Sequence, residues 1–252
     1  MRCHSAWLAA ALVCALHAGT ASGAAEAVRS ELAARLRNVT PAASDGADSA
    51  AATVEAGHKL FTAKFANGKS LAGCFPNGGR RVAASYPQYD ARLKRVVTLE
   101  MAVNQCRKTH GEALFEPTDA ATMGAVLAYL RSLSDGQKVA VRVPAAAEER
   151  FEQGRRLYFT RMGQRNFACA SCHVQGAGHY FGDEMLSPAV GQAAHWPAIR
   201  DGQPVTLQMR VRECLERMGA APFAAGSDEL NHIEYFLTYV SNGVAMKANV
   251  KR

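Results

Sequence analysis

The chain has 252 residues, of which 48% are hydrophobic and 20% charged, with 29 Lys and Arg against 22 Asp and Glu and a formal charge of +7. Its length suits two compact domains of about 100 residues each, and a mild basic excess suits an acidic partner or an anionic substrate. The basic residues are spread out with no Lys/Arg-rich run, which argues against nucleic acid as a partner, and no apolar stretch reaches the roughly 20 residues of a membrane helix.

Residues 1–24 read as a secretory signal peptide, with Arg2 at the start, an apolar run from Ala6 to Leu16, and small residues from Ala18 to Ala24. Its removal is expected to leave a soluble, exported protein. The one charge lost is that of Arg2, which lowers +7 to +6. Cys3 and Cys14 leave with it, so five of the seven cysteines remain: Cys74, Cys106, Cys169, Cys172 and Cys214. An exported chain normally pairs its cysteines, and five cannot all pair.

Residues 25–37 carry Val28, Leu32 and Leu36 at helical spacing, and residues 38–52, rich in Ala, Ser and Asp, read as a linker. Beyond them the chain repeats itself. Thr98-Leu-Glu-Met-Ala-Val-Asn-Gln-Cys106 and Thr206-Leu-Gln-Met-Arg-Val-Arg-Glu-Cys214 share Thr, Leu, Met, Val and Cys at an offset of 108. Gly57-His-Lys-Leu-Phe61 parallels Gly154-Arg-Arg-Leu-Tyr158, Tyr86-Pro87 parallels Trp196-Pro197, and Tyr129 and Tyr239 fall in the last predicted helix of each half. Cys74 aligns with Cys172 at an offset of 98, so the second half holds about ten extra residues before its last cysteine. Internal duplication accounts for the order of these landmarks.

Leu207, Val211, Cys214 and Met218, and then Leu230, Ile233, Leu237 and Val240, follow helical periods. Ser227 is placed to cap the last helix and Gly243 to stop it, while Thr118 or Asp119 caps its counterpart. Residues 134–147, with an Asp-Gly pair and Pro144, read as the connection. The predicted fold class is all-α, as two tandem domains: residues 53–140 after an N-terminal helix and linker at 25–52, then residues 141–252.

Cys169-Ala-Ser-Cys172-His173 supplies two thiols that can add to haem vinyl groups and an imidazole that can bind the iron. A zinc site would need a second ligand pair at usual spacing, and a redox dithiol a βαβ context. The expected cofactor is therefore one covalently bound haem c. For its other face Met185, Met209, Met218, His179, His195, His232 and Cys214 are available. Cys214 is favoured as the unpaired sulfur of that half. The first half has Leu71 where the first haem cysteine would stand and Phe75 where the histidine would, so it is read as a degenerate domain without haem. Its Cys74 and Cys106, on either side of a lost macrocycle, are expected to form a disulfide. Arg210 lies one helical turn before Cys214, where a guanidinium could stabilise a thiolate and fork onto an oxyanion. Its counterpart is Ala102.

Cys169-Ala-Ser-Cys172-His173, the late Cys214 with Arg210, the duplicated Thr-Leu-x-Met-x-Val-x-x-Cys segment and the degenerate site with Cys106-Arg107 together resemble the SoxA family, in its single-haem form. These are the A subunits of the SoxAX sulfur-oxidising cytochrome complexes. The resemblance implies two cytochrome c-like domains and a periplasmic L-cysteine S-thiosulfotransferase, working as a heterodimer with a SoxX-like cytochrome c. Such an enzyme joins thiosulfate to a cysteine of a SoxYZ-like carrier protein and passes electrons through haem. It further implies His173 and Cys214 as axial ligands, Cys214 as the catalytic, persulfide-type cysteine, and Arg210 as substrate clamp. Two other functions compete: a thiosulfate dehydrogenase forming tetrathionate, and a simple electron-transfer cytochrome c.

Overall fold

The computed structural model describes residues 21–39 and 47–249. Most of the signal segment, with Cys3 and Cys14, lies outside them. Helix α1 spans Ala21–Arg35 and buries Ala25 and Leu32, so it begins four residues before the predicted helix. Helix α2 (Ala47–Thr62) begins inside the stretch expected to be linker, because an Ala, Ser and Asp composition serves a helical first turn as well as a loop.

The first set of elements is α2, a 3₁₀ turn at Leu71–Cys74, a hairpin of β1 (Gln88–Asp90) and β2 (Arg95–Val97), α3 (Leu99–Thr109), and a π-helical turn at Ala120–Gly124 running into α4 (Ala125–Ser132). The second is α5 (Glu148–Phe159), a π-helical turn at Ser171–Gln175, a hairpin of β3 (Tyr180–Phe181) and β4 (Glu184–Met185), a hairpin of β5 (Ala198–Arg200) and β6 (Gln203–Val205), α6 (Leu207–Arg217) and α7 (Asp228–Val240). The molecule is helix-rich, as expected, and the described residues add three short antiparallel hairpins. Strands of two or three residues are too short for an alternating pattern to register in sequence.

The duplicated segment is explained by what it builds. The repeated threonines are helix caps: the Thr98 hydroxyl accepts from the Met101 amide of α3 and the Thr206 hydroxyl from the Met209 amide of α6. Farther along, the Asn104 side chain brackets the Phe115 backbone, and at the same offset Arg212 donates to the Phe223 carbonyl. Ser227 caps α7 and Asp119 the turn before α4, as predicted. The Tyr86–Pro87 and Trp196–Pro197 bonds are both cis.

Each half packs its first helix against its last through a glycine. A Cβ on Gly57 would sit 2.0 Å from the Ala125 carbonyl oxygen, and one on Gly154 2.0 Å from that of His232. Only hydrogen lets α2 lie on α4 and α5 on α7 at that distance. Tyr129 Cβ and Phe236 Cβ are the next contacts at these glycines, so the structural partner of Tyr129 is Phe236 and not Tyr239.

The halves share one hydrophobic core. Their junction also buries Glu100, Arg131 and Glu234, with Arg131 Nη2 3.8 Å from Glu234 and Gln208 donating to Glu234 at 2.9 Å. Burial and the neighbouring Glu100 push the Glu234 carboxyl up to about 8 against the pull of Arg131. The tail crosses the predicted 140/141 boundary: Ala245 pairs with Lys138, Met246 exchanges backbone hydrogen bonds with residues 136 and 137, and the Asn249 side chain donates to the Ala128 carbonyl.

Candidate functional site

A cavity opens in the second half and is largely apolar, as small-ligand and cofactor sites usually are. Cys172 and His173 reach it from the π-helical turn and Cys169 from just before that turn, Arg210, Cys214 and Arg217 from α6, Tyr158 from α5, and Ile233 and Leu237 from α7. Among the described residues, the three cysteines that are not in a disulfide all line it.

The residues present fit a covalent haem. The Ser187 carbonyl is 2.7 Å from His173 Nδ1 and can only accept, so Nδ1 carries the proton and Nε2 the lone pair a metal needs. The Tyr158 hydroxyl is buried at the cavity with no hydrogen-bond partner among the described residues. Of the seven side chains available for the far side of an iron, only Cys214 and Met218 line the cavity. Met209 Sδ is instead taken up by the Thr206 amide in the α6 cap.

The α6 sequence sets Arg210, Cys214 and Arg217 at i, i+4 and i+7, one stripe on one face. Arg210 is buried, but it is not an idle cation. Its guanidinium pairs with Glu184 of β4 and, at 3.0 Å, with Glu213. Arg217 holds the other Glu184 oxygen at 2.7 Å and lies over the Phe181 ring. Burial works against the Arg210 charge, and Cys214, Glu184 and Glu213 more than offset it.

The protein alone does not make Cys214 a thiolate. Burial raises its pKa above the ordinary thiol value, and the pull of Arg210 and Arg217 offsets only part of the rise. Burial and the nearby Cys214 likewise push Cys169 up to about 12. Glu184 goes the other way: burial favours its neutral form, yet Arg217 and Arg210 keep it below the usual carboxylate value.

Arg217 and Glu184 escape the sequence reading. Arg217 left a signal, three residues after Cys214 on the same face. Glu184 left none, because it lies in a hairpin without counterpart in the first half.

At the matching place in the first half Cys74 and Cys106 form a disulfide. Leu71 and Phe75 are buried there, and Phe75 packs on Phe61 with ring centroids 5.8 Å apart.

Residues 56–139 and 153–246 each match the family model described as SoxA/TsdA, cytochrome c domain. The chain is 43% identical over 202 residues to the L-cysteine S-thiosulfotransferase subunit SoxA of Chlorobaculum tepidum, spanning 79% of this chain and 70% of that protein. To the subunit of the same name from Allochromatium vinosum it is 38% identical over 198 residues, 77% of this chain and 70% of that one. The crystal structure of SoxXA from P. pantotrophus matches with a TM-score of 0.75 at 29% identity, covering 81% of this chain and 79% of that one. With the Cys-x-x-Cys-His pentapeptide, the free thiols and the paired family domains in one chain, this protein belongs to the SoxA family of cytochromes c.

Proposed function

We propose that this chain is the haem-bearing subunit of an L-cysteine S-thiosulfotransferase of the periplasm. It acts with a SoxX-like cytochrome c and joins thiosulfate to a cysteine of a SoxYZ-like carrier protein. Residues 141–252 form the catalytic domain, and residues 53–140 a degenerate cytochrome c-like domain in which Leu71, Phe75 and the disulfide fill the space of a lost cofactor.

One haem c would be tied through Cys169 and Cys172, with His173 and Cys214 the residues that would bind its iron. When bound, the haem supplies an electron acceptor for the oxidation. The chain's own residues do the rest. Ser187 fixes the imidazole tautomer, and the apolar walls exclude water from the sulfur. Arg210 holds the anionic end of thiosulfate beside Cys214, whose soft sulfur exchanges bonds readily. In the net reaction the carrier thiol loses its proton, a sulfur–sulfur bond forms to the outer sulfur of thiosulfate, and two electrons leave toward the partner cytochrome.

The observation that carries this reading is the meeting of Cys169, Cys172, His173, Cys214 and Arg210 on one cavity. No observation favours tetrathionate formation or simple electron carriage. The test is Cys214→Ala in the complex. Haem should remain attached while thiosulfate- and carrier-dependent turnover falls by roughly 10³-fold or more, the scale of losing a catalytic nucleophile. Full turnover, or a methionine–iron absorption band in the parent protein, overturns the role of Cys214. Mass spectrometry of the mature protein should find one haem per chain.

A further inference from the structure

Resting on that reading, we infer that Glu184 is an internal occupant of the substrate's oxyanion site, and that this site has two cations, Arg210 and Arg217. An incoming tetrahedral dianion displaces the Glu184 carboxylate and takes both guanidiniums.

The geometry is that of a stand-in. One carboxylate bridges two arginines, giving Oε1 to Arg210 and Oε2 to Arg217. A sulfonate edge presents the same pair of oxygens to the same two forks. Both arginines flank Cys214 by one helical turn on one face of α6 and line its cavity. An oxyanion held between them therefore lies beside the sulfur.

The first half supplies the contrast. The positions of Arg210 and Arg217 are Ala102 and Thr109 there. The segment carrying Glu184 is missing too: twelve positions separate Cys74 from Tyr86, but twenty-four separate Cys172 from Trp196. Carboxylate and cations occur together, in the half with the free thiols.

The arrangement is also built to let go. The Glu184 and Arg217 side chains are 42% and 44% exposed, so their ion pair contributes little. Arg210 is 9% exposed but keeps Glu213 when Glu184 leaves, so no bare buried charge results. Glu184 sits on a short hairpin turning at Gly182, which has φ +66°, with Tyr180 exposed beside it. Opening such a hairpin breaks few contacts.

The experiment measures sulfate, an unreactive tetrahedral dianion, and thiosulfate binding to the haem-loaded complex by calorimetry. Glu184→Gln keeps the shape and removes the charge. It should tighten both anions about fivefold and lower KM for thiosulfate with little change in kcat. Arg217→Gln should weaken both anions. In the unaltered complex, sulfate should speed amide hydrogen exchange across residues 180–185. Unchanged or weaker anion binding in Glu184→Gln, or hydrogen exchange that sulfate leaves as it was, overturns the inference and makes Glu184 a brace for Arg210. Should sulfate behave as stated while no variant turns over thiosulfate with carrier protein, the oxyanion site stands and the proposed activity falls.

Discussion

The two halves share their helices, their threonine caps and their glycine crossings, and they differ in what lies between two aligned cysteines. In the first, Cys74 and Cys106 are bonded and Phe61, Phe75 and Leu71 are packed around them. In the second, Cys172 and Cys214 stand apart across a cavity, with a tyrosine in place of Phe61 and a histidine in place of Phe75. A fold can close over the same space with aromatic side chains and a disulfide, or leave it open for a cofactor. The helices are indifferent to the choice. What marks the second half as chemical is its polar equipment, namely the Ser187 carbonyl on His173 and the Glu184, Arg210 and Arg217 network beside Cys214.

That comparison can be broken at several points. Removal of the Cys214 thiol, described above, has the largest expected effect. Arg210→Ala should follow, lowering thiosulfate turnover by about 10²-fold, the scale of losing one preorganised charge-stabilising donor, while the haem spectrum stays unchanged. An unchanged rate would reduce Arg210 to a structural ion pair. Replacing Cys74 and Cys106 together by alanine should cost about 3–4 kcal/mol in chemical denaturation and leave haem content intact. Loss of haem in that variant would show that the halves are not separable in this way.

Gly57→Ala and Gly154→Ala sharpen the likeness instead. Each puts a methyl group 2.0 Å from a backbone carbonyl oxygen, so each should cost about 3 kcal/mol by thermal melting. A large difference between them would mean that the two crossings are not equivalent. The last point is the junction. Because the folded value of Glu234, about 8, lies above its ordinary 4.5, its contribution to stability is complete below about pH 4.5 and fades as pH rises toward 8. Glu234→Gln should flatten that decline in melting curves recorded across the range.

Much of this was legible from residue spacing. The α6 period put Arg210 and Cys214 on one face, and the offset of 108 matched Cys106 to Cys214. The same arithmetic reaches Arg217, which a search looking only toward the helix start passes over. Other parts leave no trace in residue type. Ser187 acts through its carbonyl oxygen, which every residue possesses, and Glu184 is brought to Arg210 by a hairpin too short to announce itself. Residues 47–52 show the limit of composition, since Ala, Ser and Asp there begin a helix.

The returning tail has a consequence for how the molecule can be divided. Residues 245–249 lie downstream of every cavity-lining side chain, yet they are stitched to the segment after α4 and to α4 itself. A fragment cut at the inter-helix connection would therefore carry a loose end with nothing to grip, and its complement an open seam. Two family domains lie in one chain, and this clasp ties the end of the second back to the end of the first.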